Sequence, residues 1–293
     1  MSRSRATIHH RKAHTYLRRA VQALLLYLLL IAVSLVLLFP FIWMLSSSLK
    51  TRTEVFAVPP SLFPKQPQWQ NFTSWIDGRV PFEMMFLNSV IVSVLNIVGS
   101  ILSCSLAAYG FARLRFPGRE ALFSVLLASM MVPFVVRLVP LFLIFRRLGW
   151  INTLYPLIVP AFLGTPFFIF IMRQFFRTIP TELSDAARID GCSELGIWAR
   201  LMLPLSRPVM GAVSILAFQT AWNDYLAPAV FLNDMRKMTI MVGLGSFLTM
   251  PAEMRDWHTV MAMTVLVSLP AVVVFFIFQR AFVQGMTLSG MKG

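Results

Sequence analysis

Charge is missing from this sequence in long unbroken stretches. Residues 20–49, 84–112, 148–172 and 257–279 contain no Asp, Glu, Lys or Arg and are rich in Leu, Val, Ile, Phe and Met. At about 1.5 Å of rise per residue, each exceeds the ~20 residues that cross a hydrocarbon core about 30 Å thick. Two shorter charge-free stretches, 121–136 and 208–223, must borrow flanking residues. Arg137 and Arg207 are placed to snorkel, burying their stems and keeping their heads wet. The expectation is an all-α integral membrane protein with six transmembrane helices.

Composition closes the alternatives. The chain is 57% hydrophobic and 13% charged, whereas a soluble domain carries about 45–50% apolar and about 25% charged residues. A soluble globule, a disordered tail and a fibre are excluded. The net charge of +14 reads as the basic bias of cytoplasmic loops rather than as a nucleic-acid surface. If the N-terminus is cytoplasmic, 16 of the 26 Lys+Arg and 5 of the 12 acidic residues fall on that side, giving +11 there and +3 opposite. Both termini are therefore expected in the cytoplasm. The chain divides into a basic tail (1–20), a six-span domain (21–280) and a C-terminal tail (281–293). The first apolar run is too long for a cleavable signal and lacks a small-residue cleavage pattern.

No carboxylate falls within any of the six stretches. Ion-coupled carriers usually place carboxylates in the membrane to hold the driving ion. Energy is thus expected from outside this chain. Pro133 and Pro140 are expected to end the third span near Val136, followed by a short outer helix from Leu141 to Arg147. Gly149 and Asn152 then turn the chain into the fourth span.

The inner loop 173–207 between the fourth and fifth spans carries the most polar internal segment on that side. Thr181 suits a helix N-cap, and Glu182 and Asp185 suit the positive end of the helix dipole. Leu183, Ala186, Ala187 and Asp190 share a face at helical spacing, and small residues there allow close approach of another surface. Gly191 suits a left-handed helix end. A second short helix is expected from Ser193, with Leu195, Trp198 and Leu201/Met202 in phase ahead of Pro204. On physical grounds alone, this segment is either a docking helix or an amphipathic helix lying on the bilayer surface.

The order Asp185-Ala186-Ala187, Gly191, Leu201-Met202-Leu203-Pro204 resembles the EAA motif of ABC importer permeases. That motif has Glu-Ala-Ala, a Gly four positions later and Ile-x-Leu-Pro; here Asp185 replaces Glu and Leu201 replaces Ile. Further segments extend the resemblance: Asn88-Ser89, Ala107-Ala108-Tyr109, Phe116-Pro117-Gly118-Arg119, Leu148-Gly149 with Asn152-Thr153, Trp222-Asn223-Asp224, and Gly285-Met286-Thr287 with Lys292-Gly293. Together they are similar to the second permease subunit of carbohydrate importers of the maltose and glycerol-3-phosphate type.

The resemblance implies a second homologous permease, two ATPase subunits and an extracytoplasmic sugar-binding protein as partners, in the cytoplasmic membrane of a bacterium or archaeon. It implies that Glu182, Asp185, Ala186, Ala187, Arg188, Asp190, Gly191, Leu203 and Pro204 form the ATPase-coupling surface. Ala187→Trp or Gly191→Asp is then expected to abolish transport without preventing insertion. The outer loop 224–256, with Asp234, Arg236, Lys237, Gly243 and Gly245, and the 141–147 helix would face the binding protein. The tail Gly285–Gly293 would approach the ATPases. Polar residues on the spans, Asn88, Ser93, Asn96, Gln219 and Asn223, are candidates for the substrate pathway or for bonds between helices. Met130, Met131, Met261 and Met263 read as packing.

Signals for catalysis are missing. The sequence has no G-x-x-x-x-G-K-[ST] loop and no H-E-x-x-H. ATP and magnesium are expected in the partner ATPases, and no cofactor or metal in this chain. His9, His10 and His14 read as part of a basic tail, Cys104 and Cys192 as free thiols, and Asn71-Phe72-Thr73 as a chance sequon. Two other classes remain open: a self-sufficient secondary carrier, driven by an ion gradient alone, and a membrane scaffold that stimulates no ATPase.

Overall fold

The computed structural model describes residues 3–73, 81–249 and 256–290, with side chains described at 18–19, 21–73, 81–249 and 256–279. Helices dominate: α1 (Arg3–Ser48), α2 (Phe82–Arg113), α3 (Arg119–Ala128), α4 (Phe134–Arg147), α5 (Pro166–Thr178), α6 (Thr181–Ile189), α7 (Glu194–Ile197), α8 (Arg207–Trp222), α9 (Ile240–Thr249) and α10 (Trp257–Gly290), with shorter turns between them. No strand occurs among the described residues. Among the described residues, four helical segments are long and apolar enough to cross a membrane: Val21–Ser48, Phe82–Arg113, Tyr155–Thr178 and Trp257–Gln279. Two bent pairs, Arg119–Met131 with Phe134–Arg147 and Glu194–Leu205 with Arg207–Trp222, raise the number to six if each pair is one span.

The chain forms two compact units. The first comprises Met1–Phe72 and Asp256–Ala262. Its α1 exposes large apolar side chains all round, Leu25 at 61% and Val36 at 73% among them, as a lipid-facing helix must. The chain leaving α1 is pinned by Asn71, whose Nδ2 donates to Ser48 O and Lys50 O, both at 2.9 Å. Lys50 is buried, its ammonium 4.6 Å from the Trp43 ring centroid and donating to Ser61 O at 2.5 Å.

The second unit comprises Thr73–Arg255 and Met263–Gly293 and is built around α2. One apolar cluster joins α2, α5 and α8 through Cys104, Tyr109, Met172, Phe176 and Val213. Another gathers Met85, Phe218, Trp222, Ile240 and Met263.

Three expectations need correction. The third apolar region breaks at Val132–Pro133, with a bend of 100°, and α4 runs unbroken through Pro140. Pro133 suits a helix entrance, where a missing N–H costs nothing; Pro140 inside forfeits one helical bond, which the flanking turns survive. The fourth span lies later than 148–172, at Tyr155–Thr178. It runs past Arg173 because that charge is compensated: its Nη2 is 3.0 Å from both Glu120 carboxylate oxygens, and its guanidinium lies 3.9 Å from the Phe123 ring centroid. The same span is also not one continuous helix. Residues Val159–Leu163 form a tight 3-10 turn, and Gly164 leaves helical geometry at φ +93°.

Side chains of α2 bond three of the backbone polar groups at this interruption. Asn96 Nδ2 donates to Leu157 O at 2.8 Å, Ser103 Oγ to Ala161 O at 2.8 Å, and Thr165 N donates to Cys104 Sγ at 3.2 Å. In a bilayer no water can do this work, so irregular backbone survives only where protein satisfies it. Gly99 lets the segment approach: a Cβ there would lie 2.7 Å from the Phe162 ring.

Candidate functional site

The loop between α5 and α8 folds as a helix–turn–helix. Helix α6 starts at Thr181 with Pro180 as its N-cap, one residue earlier than expected, and no side chain caps it. A proline at the cap fixes φ for the entering chain but offers the first N–H groups of α6 no side-chain acceptor. The helix ends at Gly191, φ +82°, with Gly191 N donating to Arg188 O at 3.0 Å and Cys192 N to Ala187 O at 2.9 Å. Two orphan carbonyls are thereby satisfied in a backbone conformation that a side chain disfavours. Ser193 caps α7 as its residue type demands, accepting from Gly196 N at 3.2 Å.

Four charged or polar side chains lock this turn. Arg188 donates from Nη1 to Asp185 Oδ1 at 2.6 Å and from Nε to Glu194 Oε1 at 2.7 Å. Tyr109, buried on α2, donates its hydroxyl to Glu194 Oε2. The Arg188 guanidinium, helped by the Tyr109 hydroxyl, holds the Glu194 carboxyl below the usual carboxylate range. Trp198 adds a second tie to α2, donating from Nε1 to Ser105 Oγ at 3.3 Å. It opens one π-helical turn, Trp198–Met202, ahead of Leu203–Leu205.

The exposed surface of the turn mixes apolar side chains, two small residues and three carboxylates. Leu183 (43%), Ile189 (87%) and Leu195 (64%) stand open with Ala186, Glu182, Asp185, Asp190 and Gly191. Ala187 differs from the expectation. It is half-buried and packs against the inner cluster, as does Leu201, while Leu203 is half-buried and Pro204 exposed. Helical phase separates the two alanines: a 100° step turns Ala186 outward and Ala187 inward.

Loops at the opposite ends of these helices are also knitted together. Gly149 and Asn152 both have positive φ, +70° and +62°, and make the expected turn. Asn152 Oδ1 accepts from Asn233 N at 3.2 Å and Asp234 N at 3.0 Å, while Lys237 Nζ donates to Asn152 O at 3.1 Å. Residues 250–255 of this loop, residues 291–293 and the side chains of the N-terminal histidines lie outside the described residues. So do the side chains from 280 onward.

The five span polar groups separate by what they bind. Asn88 Nδ2 donates to Arg236 O and Met238 O at 2.9 and 3.0 Å, and Asn96 Nδ2 to Val92 O and Leu157 O. Both amides hold backbone. Ser93 is buried and its hydroxyl has no partner among the described residues. Gln219 and Asn223 are exposed one turn apart at the end of α8, Asn223 Nδ2 donating to Gln219 O at 3.0 Å. Sequence reasoning misses Glu194, nine positions past Asp185, because only the turn at Gly191 brings it to Arg188. It also misses Cys104 and Ser103 as partners of broken backbone, which no periodicity announces.

Comparison with known proteins identifies the family. Residues 99–288 match the family described as "Binding-protein-dependent transport system inner membrane component". The chain is 34% identical to the arabinooligosaccharides transport system permease protein AraQ of Bacillus subtilis, covering 94% of this chain and 97% of that one. It is 33% identical to the lactose transport system permease protein LacG of Rhizobium radiobacter, over 93% and 97% of the two chains. It is 32% identical to the sn-glycerol-3-phosphate transport system permease protein UgpE of Yersinia enterocolitica, over 93% and 98%. The fold is similar to a chain of a bacterial ABC transporter involved in import of the acidic polysaccharide alginate, with TM-score 0.77 and 22% identity over 90% of this chain and 97% of that chain.

Proposed function

Because this chain belongs to the binding-protein-dependent transport system inner membrane component family, we propose that it is one of two permease subunits of an ABC sugar importer. In this reading six spans cross a bacterial cytoplasmic membrane, both termini are cytoplasmic, and α6 docks on a separate ATPase. The carbohydrate class rests on the names of relatives such as AraQ and LacG. ATP and magnesium belong to the ATPase partners. A second permease completes the pore, and a sugar-binding protein meets the face that bears Asn152 and Asp234.

One observation carries the mechanism. A rigid helical turn presents open Leu183, Ala186 and Ile189 to a partner while Arg188, Glu194 and Tyr109 tie it to α2. Closure of the ATPases would push that turn as a body, and the tie would pass the push to the core of the second unit. Gln219 and Asn223 are the exposed span polar groups left for the substrate path, Ser93 being buried and the Asn88 and Asn96 amides tying α2 to other segments. The coupling residues are the exposed ones, Glu182, Asp185, Ala186, Asp190 and Gly191, with Arg188 as their brace and Ala187, Leu203 and Pro204 as support.

The test is Ala186→Trp, which adds bulk to the open face without entering the core. The variant should insert and pair with its partner permease, lose co-purification of the ATPase and lose uptake. Uptake at the wild-type rate, or uptake by the purified chain alone on an ion gradient, would defeat the reading.

A further inference from the structure

A cavity of about 730 Å³ opens beside the α6–α7 turn. Five arginines line it, Arg113, Arg115, Arg119, Arg177 and Arg188, against the carboxylates Asp185 and Glu194. Both carboxylates are spent on Arg188, which lies within 2.7 Å of each. Arg119 pairs with Glu120 at 3.0 Å. Arg113 donates from Nη2 to Phe176 O and Ile179 O, and its Nε is buried without a partner among the described residues. Arg115 and Arg177 are exposed and have neither an ion pair nor a hydrogen bond among the described residues. Ser184, only 1% exposed, lines the same cavity, and its hydroxyl also lacks a partner there. Buried polar groups left in this way are costly and uncommon.

We propose that this cavity is a binding site for a phosphate group, with Arg115 and Arg177 as its free cations and the Arg113 Nε–H and Ser184 hydroxyl as its inner donors. Inorganic phosphate and phosphate monoesters offer three or more non-bridging acceptor oxygens to these four groups, and a phosphodiester offers two with two ester oxygens beside them, where an acidic side chain offers two in all. Guanidinium forks match phosphate oxygens in pairs. The walls come from the end of α2 and the loop after it, the end of α5, and α6. A bound phosphate therefore joins the coupling turn to the ends of two membrane helices. The same chemistry arises from an anionic phospholipid headgroup or from a soluble phosphate compound. The cavity shares Asp185 and Arg188 with the coupling surface, but the four groups proposed to hold the phosphate lie outside that set.

The experiment uses the full chain, purified and stripped of lipid. In one arm its melting temperature is followed against inorganic phosphate and pyrophosphate, with sodium chloride at matched ionic strength. In the other arm it is placed in nanodiscs of phosphatidylcholine, with and without phosphatidylglycerol. A stabilising shift in the first arm identifies a soluble ligand, and a shift confined to the second identifies the lipid. The double variant R115Q/R177Q should weaken the response about tenfold or more, since two charge-assisted contacts are lost. Ser184→Ala should be at least as stable as wild type without anion, yet respond less. The proposal fails if chloride reproduces the shift or if R115Q/R177Q responds like wild type. It also fails if neither arm responds, and release of the ATPase by R115Q/R177Q would then assign the cavity to an acidic protein segment.

Discussion

Tyr109 and Glu194 lie 85 positions apart, and the buried phenol donates a hydrogen bond to the glutamate's Oε2. That bond joins the last turns of α2 to the loop between α5 and α8. A hydrogen bond to a charged acceptor contributes about 1.5–3 kcal/mol.

Tyr109→Phe and Glu194→Gln should each leave the chain inserted and assembled but loosen the turn against α2. The expected readout is ATP hydrolysis by the reconstituted importer that persists while uptake per ATP falls. The double variant should be little worse than Glu194→Gln alone, because that change already weakens the Tyr109 bond along with the hold on Arg188. Additive losses would show that the two residues act separately.

A Cβ added at Gly191 would meet no atom within 4 Å, so space does not restrict this position; its φ of +82° does. Gly191→Asn should be tolerated, because Asn adopts left-handed geometry readily, whereas Gly191→Val should cost about 1–2 kcal/mol and open the turn. Limited proteolysis of the 190–194 segment in the two variants checks the difference.

Asn152→Gly keeps the positive φ and removes the side-chain oxygen that receives Asn233 N and Asp234 N. The variant should fold, with faster amide exchange at residues 233–238 and reduced stimulation by the binding protein. Unchanged exchange would mean that the loop holds itself.

Burial raises the Asp224 carboxyl above its ordinary value, opposed by its bond from Ala227 N. A raised folded value means that the folded chain takes up a proton more readily than the unfolded chain. Stability from this group is therefore greatest in acid and declines as pH rises from the ordinary Asp value, about 3.9, through the raised one. Asp224→Asn keeps an oxygen for Ala227 and should flatten that part of the melting-temperature profile. An identical slope in the variant would place the titration elsewhere.

The four long membrane helices are legible in the sequence because lipid imposes a single rule, a long run without charge, and Val21–Ser48 and Phe82–Arg113 follow it. The rule fails where protein replaces lipid or water. Arg173 reads as the end of a span, yet Glu120 and Phe123 hold it inside. The Gly191 turn is readable because glycine declares its backbone, and Ser193 because a cap is local chemistry. Spacing alone puts Ala187 on the open face, but phase relative to the core decides exposure, and only tertiary packing sets that phase. Glu194 and Tyr109 cannot be paired from sequence, since nothing local records an 85-residue contact.

The broken segment at residues 157–165 has a further consequence. Its Leu157 and Ala161 carbonyls and its Thr165 amide are bonded by Asn96, Ser103 and Cys104 of α2. A continuous helix owns its hydrogen bonds and can slide as a unit, but this one has lent part of them to its neighbour. Separating the two would strand polar backbone in hydrocarbon. They must therefore travel together through any transport cycle, and the boundary between moving and stationary parts has to run elsewhere.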